Sequence, residues 1–134
     1  MKLIGMMDSP YVRRVAVSLA LYGVEFESLP LSVFSGFDEF SRINPVVKAP
    51  TVVLDNGTQL MDSTLILHYF ETTNPAGRRL LPAQPDQVLV TSTVVWSFIQ
   101  LMIPAVVSAA EFPHIRALAE KGEALPAFQQ YPLG

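Results

Sequence analysis

The chain of 134 residues contains no cysteine and few charged residues. Without a thiol it can form no disulfide and no thiolate metal site, and it has no cysteine nucleophile for redox chemistry. Its nine Lys and Arg residues against twelve Asp and Glu residues give a net charge of −3, which argues against nucleic acid as a partner. A signal peptide is also absent, since only Lys2 precedes a short apolar run. We therefore expect a cytoplasmic protein.

Apolar residues, in contrast, are abundant and make up half of the chain. Residues 87–110 carry no formal charge, and a segment of this length could cross a bilayer. However, Thr93, Ser97 and Gln100 recur at helical spacing and form a polar stripe, as in a buried helix of a soluble core. We predict such a helix and no membrane association. Its predicted core face consists of Val94, Val95, Phe98, Ile99 and Met102.

A serine–proline pair follows the first apolar run. Ser9 falls where a predicted strand over residues 3–7 gives way to a predicted helix over residues 12–22. Pro10 suits the first position of a helix, because its missing N–H would have no partner there. The free backbone amides and the positive dipole end favour an anion, such as a thiolate, beside Ser9. A helix cap without any ligand would also explain this serine.

The remaining patterns predict the order β-α-β-α-β-β-α, followed by further helix. Asp55-Asn56-Gly57 is a strong hairpin signal between two strands. The second helix falls on a short and irregular run, residues 36–43. A crossover helix between two strands, followed by a hairpin and a helix, is typical of an α/β sheet with parallel strands. The other predicted elements are strands over residues 26–31, 51–54 and 58–61 and a helix over residues 62–73.

Three segments in this order resemble the N-terminal domain of glutathione S-transferases, and most closely the bacterial and tau-like members that use a serine. They are Ser9-Pro10-Tyr11-Val12-Arg13-Arg14, residues 44–54, and residues 62–70. The resemblance implies a thioredoxin-like glutathione-binding domain over residues 1–82. Residues 83–134 resemble the last third of the family's all-helical C-terminal domain. The chain thus resembles a transferase with an internally shortened C-terminal domain.

The resemblance also implies ligands and site residues. Glutathione would be the co-substrate and a small hydrophobic electrophile the second substrate, with Ser9 as the catalytic residue that donates a hydrogen bond to the thiolate. Lys48 would pair with the glycine carboxylate, although a solvated loop lysine is an equal alternative. Tyr11 would line the electrophile pocket or be a surface aromatic. No metal site is predicted. The implied glutathione-binding residues are Ser9, Lys48, Ala49, Pro50, Asp62 and Ser63, with a cis bond before Pro50.

Two functions stay open at this point. One is a detoxifying transferase, and the other is a thioredoxin-like module that binds glutathione or a protein without turnover. In the family, the helices that this chain lacks supply most of the electrophile pocket and much of the dimer interface. We therefore expect an incomplete electrophile pocket and bare apolar surface on the first and third helices. The oligomeric state stays open between a monomer and a homodimer.

Overall fold

The computed structural model describes residues 1–80 and 85–133, with the backbone alone for residues 85–88. The domain boundary predicted between residues 82 and 83 lies outside the described residues. The predicted order β-α-β-α-β-β-α is observed. The short and irregular run over residues 36–43 forms a helix. The strands are β1 Lys2–Ile4, β2 Glu27–Leu29, β3 Thr51–Val53 and β4 Gln59–Met61. The helices are α1 Pro10–Leu21, α2 Phe37–Ile43, α3 Ser63–Thr73, α4 Pro85–Met102, α5 Pro113–Glu123 and α6 Pro126–Gln130, with a 3-10 turn over Ala109–Glu111.

The four strands form one sheet in the order β2-β1-β3-β4. Strand β1 is parallel to β2 and antiparallel to β3, and β4 closes the sheet as the second arm of the predicted hairpin. Helix α1 is the crossover between the two parallel strands, so its N-terminus lies at the carboxyl end of β1. This topology places the serine–proline pair just beyond the carboxyl end of a central strand.

Helix α1 is buried on two sides. On the side of the sheet, Val15, Leu19 and Tyr22 belong to a core with residues of β1, β3 and α3, and the sequence predicted this face correctly. On the other side, Val17 packs with Phe128 of α6 and with two valines of α4. The expectation that α1 would have bare apolar surface is therefore wrong, because α4 and α6 cover it. Helix α3 does leave Leu65 and Tyr69 exposed.

Helix α4 differs in part from the prediction. Val94 of the predicted core face is buried, but Thr93 of the predicted polar stripe is fully buried too, and Val95 and Met102 are 47% and 60% exposed. The polar stripe packs on α5: Gly122 lies directly against Thr93, where a Cβ atom would come within 2.0 Å of Oγ1. Ser97 donates a hydrogen bond to Glu123 at 2.5 Å. No helix in the described part of the chain is long and apolar enough to cross a membrane.

A buried arginine joins α1 to the C-terminal helices. The Arg13 side chain is inaccessible to solvent and donates two hydrogen bonds to the Glu123 carboxylate, at 2.8 and 2.5 Å. Its Nε donates to the backbone oxygen of Tyr131 at 3.1 Å, and its guanidinium lies 5.2 Å from the centre of the Phe128 ring. A buried charge is stable only when it is paired and hydrogen-bonded. These contacts therefore fix α5 and α6 to the helix that carries Ser9.

Candidate functional site

Ser9 is the N-cap of α1, as its position before Pro10 predicted. Its Oγ accepts a hydrogen bond from the Val12 amide at 3.5 Å, which is long for such a bond. Accepting this bond uses a lone pair of the oxygen and leaves the hydroxyl proton available to another partner. The capping role and a role as donor to a ligand are therefore compatible in the same side chain.

The loop before β3 comes close to Ser9 because Gly5 has no side chain. A Cβ atom at Gly5 would lie 2.6 Å from Val12 Cγ2 and 3.1 Å from the Ala49 Cβ atom, and its φ of +142° favours glycine. The Ala49–Pro50 bond is cis, as the resemblance implied. The end of β1, the first turn of α1 and this loop thus meet at one point.

Two buried polar residues hold this loop, and sequence reasoning assigned a role to neither. Asn44 donates a hydrogen bond to Thr51 Oγ1 at 2.9 Å, and Thr51 Oγ1 in turn donates to the Lys48 carbonyl at 2.7 Å. Asn44 Oδ1 also accepts from the Val46 amide at 3.0 Å. Both side chains are almost fully buried. The Asn44-Pro45 pair signals a turn, but its buried partner Thr51 gives no local signal.

The predicted glutathione-binding residues of the loop and of α3 lie together. They line a cavity of about 320 Å³, which we call the polar cavity. Asp62 is the N-cap of α3, and Ser63 is the first residue of that helix and is 6% exposed. The N-terminus of α3 therefore places a positive dipole end beside a buried hydroxyl, a combination that suits a carboxylate. The polar cavity is lined by Tyr11, Lys48, Ala49, Pro50, Asp62 and Ser63.

Charges of both signs border the polar cavity. Lys48 Nζ lies 3.4 Å from Asp62 Oδ2. The hydrogen bond from the Thr64 amide holds the pKa of Asp62 below its usual value, and Lys48 contributes in the same direction. Asp62 adopts a φ of 71°, in the left-handed region that non-glycine residues rarely occupy. Such backbone conformations concentrate at ligand sites.

A second and larger cavity is lined by Ser9 itself. It has a volume of about 790 Å³, and we call it the apolar cavity. Its walls come from the first turns of α1, from Phe34 and from the exposed face of α4, including Val95, Phe98 and Met102. The expectation of an incomplete electrophile pocket stays a prediction, although a cavity does lie beside Ser9. Because α4 turns its polar stripe towards α5, its apolar face is left to line a cavity beside Ser9.

The two cavities share one residue, Tyr11. Its side chain is 62% exposed. A third cavity, of about 340 Å³, shares Ser9 with the apolar cavity and shares Lys48 and Ala49 with the polar cavity. All the predicted site residues are thus brought into one continuous region. Sequence reasoning missed Phe34 and Arg14, because an aromatic residue in a loop and one of two adjacent arginines carry no specific signal.

Relatives among curated sequences match up to about two thirds of the chain. Residues 3–79 match a family model described as the glutathione S-transferase N-terminal domain. Glutathione S-transferase U7 of Arabidopsis thaliana is 36% identical over 87 residues, which cover 63% of this chain and 37% of that protein. The uncharacterized GST-like protein YibF of Escherichia coli is 33% identical, with coverages of 66% and 44%. Mouse maleylacetoacetate isomerase is 33% identical, with coverages of 55% and 36%. The chain thus spans less than half the length of these relatives.

Solved structures agree over the fold. A glutathione S-transferase of Methylobacterium radiotolerans, in complex with glutathione sulfonate, superimposes with a TM-score of 0.84 at 20% identity. The alignment covers 97% of this chain and 93% of that one. The tau-class enzyme of mango gives a TM-score of 0.55 at 26% identity, with coverages of 90% and 56%. The predicted thioredoxin-like domain with a helical C-terminal segment is confirmed. With a family model matching more than half of its length, the chain belongs to the glutathione S-transferase family.

Proposed function

We propose that this protein binds glutathione and activates its thiol for conjugation to a small electrophile. The observation that supports the proposal is that the polar cavity and the apolar cavity share Tyr11, while Ser9 lines the apolar cavity and a third cavity that continues to Lys48 and Ala49. Conjugation joins a charged peptide to an apolar compound, so the reaction needs a site for each and a thiolate between them. A role in the detoxification of electrophiles in the cytoplasm belongs to the same proposal.

The polar cavity would hold the tripeptide by its charged ends. Lys48 would pair with the glycine carboxylate, and the backbone of Ala49 beside Pro50 would bind the cysteine unit. Ser63 and the free amides of α3 would receive the α-carboxylate of the γ-glutamyl end, and Asp62 would receive its ammonium group. Lys48 and Asp62 lie 3.4 Å apart, so these two side chains would separate to reach opposite ends of the tripeptide.

Ser9 would then stabilise the sulfur as a thiolate. A free thiol with a pKa of about 8.5 is mostly protonated at neutral pH, and a hydrogen-bond donor at a helix N-terminus lowers that pKa. The thiol proton leaves to solvent, because Ser9 keeps its own proton and acts as donor rather than as base. The sulfur forms a bond to the electrophilic carbon. In a substitution, the leaving group departs with the electron pair of the bond that breaks.

The decisive experiment combines calorimetry of glutathione binding with an assay of turnover on chlorodinitrobenzene. We expect saturable binding at one site, release of chloride, and weaker binding by the Ser63→Ala variant. Ser28→Ala is a matched control, since Ser28 is exposed on β2. Binding without turnover would favour the non-catalytic module instead. A folded protein that does not bind glutathione would exclude the transferase and leave only a module that binds a protein partner.

A further inference from the structure

Arg14 is the only positively charged residue among the described residues that line the apolar cavity. Its Nε atom is buried and has no hydrogen-bond partner within the described part of the chain. None of the ion pairs within residues 1–80 and 85–133 involves Arg14. Its neighbour Arg13, in contrast, is fully satisfied by Glu123 and Tyr131. An unsatisfied buried donor carries a free-energy cost, which a ligand with an acceptor at this position would remove.

Arg14 is placed to contact the second substrate rather than glutathione. It lines the apolar cavity with Phe34 and the exposed face of α4, and it is not among the residues that line the polar cavity. Arg14 follows Ser9 by five residues along α1, a rise of about 7.5 Å along the helix axis. An electrophile whose reacting carbon lies at Ser9 would therefore bring a group several bonds away to the guanidinium.

We propose that Arg14 selects electrophiles that carry a carboxylate, so that the second substrate is an apolar acid rather than a neutral compound. This inference rests on the proposed function in one respect, namely that the bound compound reacts with glutathione. Guanidinium binds a carboxylate with two parallel hydrogen bonds, and the surrounding apolar walls strengthen that interaction by excluding water. Asp8 also lines the cavity and is exposed, so it opposes an anion at the rim but does not neutralise Arg14.

The test uses two ligands with the same ring, dinitrobenzoate and its uncharged methyl ester. Glutathione is left out, so binding is measured without turnover. Calorimetry should show that the protein binds the acid more tightly than the ester. In the Arg14→Gln variant we expect this preference to fall by about 10- to 100-fold, as for loss of a charge-assisted hydrogen bond. Arg14→Lys should restore part of it, and Arg78→Gln, which removes an exposed charge outside the cavity, should leave it unchanged.

Each alternative outcome is distinct. Equal binding of acid and ester to the unmodified protein, or no binding of the acid, would overturn the inference. So would a preference that survives in Arg14→Gln. Equal weakening of both ligands in that variant would show that Arg14 has a structural role. Such a role would be electrostatic in part, because burial raises the pKa of the Tyr22 hydroxyl above its usual value and the Arg14 charge acts to lower it. Glutathione binding is measured separately on the same protein, so a preference for the acid without glutathione binding would contradict the proposed function alone.

Discussion

At the scale of single residues, the candidate site depends on side chains that have two roles. Ser9 caps α1 and Asp62 caps α3, and each also borders a cavity. Capping explains why the residue types are polar, but it does not explain why both caps lie at cavities. Asp62 pays a conformational cost at a φ of 71° that a capping residue in an extended conformation would avoid. A ligand site at the two helix N-termini accounts for both observations.

Replacement of Ser9 by alanine separates these roles. We expect Ser9→Ala to remove most of the turnover but to weaken glutathione binding little, because most of the polar contacts to the tripeptide lie elsewhere. The pKa of the bound thiol should rise by about 1–2 units, as for loss of a hydrogen bond to a charged group. A titration of the bound thiolate by its ultraviolet absorbance measures this pKa. An unchanged thiol pKa in a folded variant would show that Ser9 is a cap only.

At the scale of secondary-structure elements, the sequence predicted the N-terminal half well because its signals are local. The hairpin at Asn56-Gly57 and the start of α1 at Pro10 depend on residues adjacent in sequence. The orientation of α4 was predicted only in part because its determinants are distant. The hydroxyl of Ser97 is satisfied by Glu123, 26 residues later, and a polar stripe with such a partner is indistinguishable in sequence from one that faces water. Burial of Arg13 depends on the same carboxylate, 110 residues away.

The contact between α4 and α5 predicts an inverted effect at Gly122. A glycine-to-alanine change inside a helix usually stabilises it by about 1 kcal/mol. Here the new Cβ atom would meet the Thr93 side chain at 2.0 Å, so we expect Gly122→Ala to destabilise the protein by about 1–3 kcal/mol through overpacking. Urea unfolding gives this free energy. The double variant Gly122→Ala/Thr93→Ala should recover much of the loss, and simple additivity of the two changes would contradict the assigned contact.

The ion pair between α1 and α5 predicts a second effect, which depends on pH. Burial raises the pKa of Glu123, but the hydrogen bonds from Arg13 and Ser97 outweigh it and hold the pKa below its usual value. Because the carboxylate is favoured in the folded state, its contribution is present above the unfolded-state pKa and is lost as the pH falls through the folded-state pKa. Glu123→Gln should cost about 2 kcal/mol at neutral pH, less than a fully buried pair because the glutamate side chain is 37% exposed.

Unfolding in urea at several pH values tests this ion pair. The difference between Glu123→Gln and the unmodified protein should shrink as the solution becomes more acidic than the usual glutamate range. Glu120→Gln is a matched control on the same helix, since Glu120 forms only an exposed pair with Arg116 at 3.6 Å. We expect that control to change stability by less than about 0.5 kcal/mol. Equal effects of the two substitutions on the free energy of unfolding would show that the pair with buried Arg13 stabilises the fold no more than an exposed ion pair does.

At the scale of the whole molecule, α1 belongs to two cores at once. One core contains the sheet and α3, and the other contains Val17, Val90, Val94 and Phe128. The C-terminal helices therefore cannot separate without exposing one face of the helix that begins at Ser9. Since α4 also provides one wall of the apolar cavity, this arrangement connects the stability of the chain to the proposed site for the second substrate.

This shared helix predicts that the described parts of the chain unfold together. Trp96 is the single tryptophan and lies in α4, where it is 8% exposed, so its fluorescence reports on the C-terminal helices. Far-ultraviolet circular dichroism reports on all helices and the sheet. We expect the two signals to give one coincident transition in urea, as for a two-state domain. Val17→Ala, at the centre of the second core, should lower the stability measured by both signals by about 2 kcal/mol. A fluorescence transition at lower urea than the loss of ellipticity would show instead that the C-terminal helices dock reversibly on an independently folded sheet domain. The apolar cavity would then exist only in the docked form.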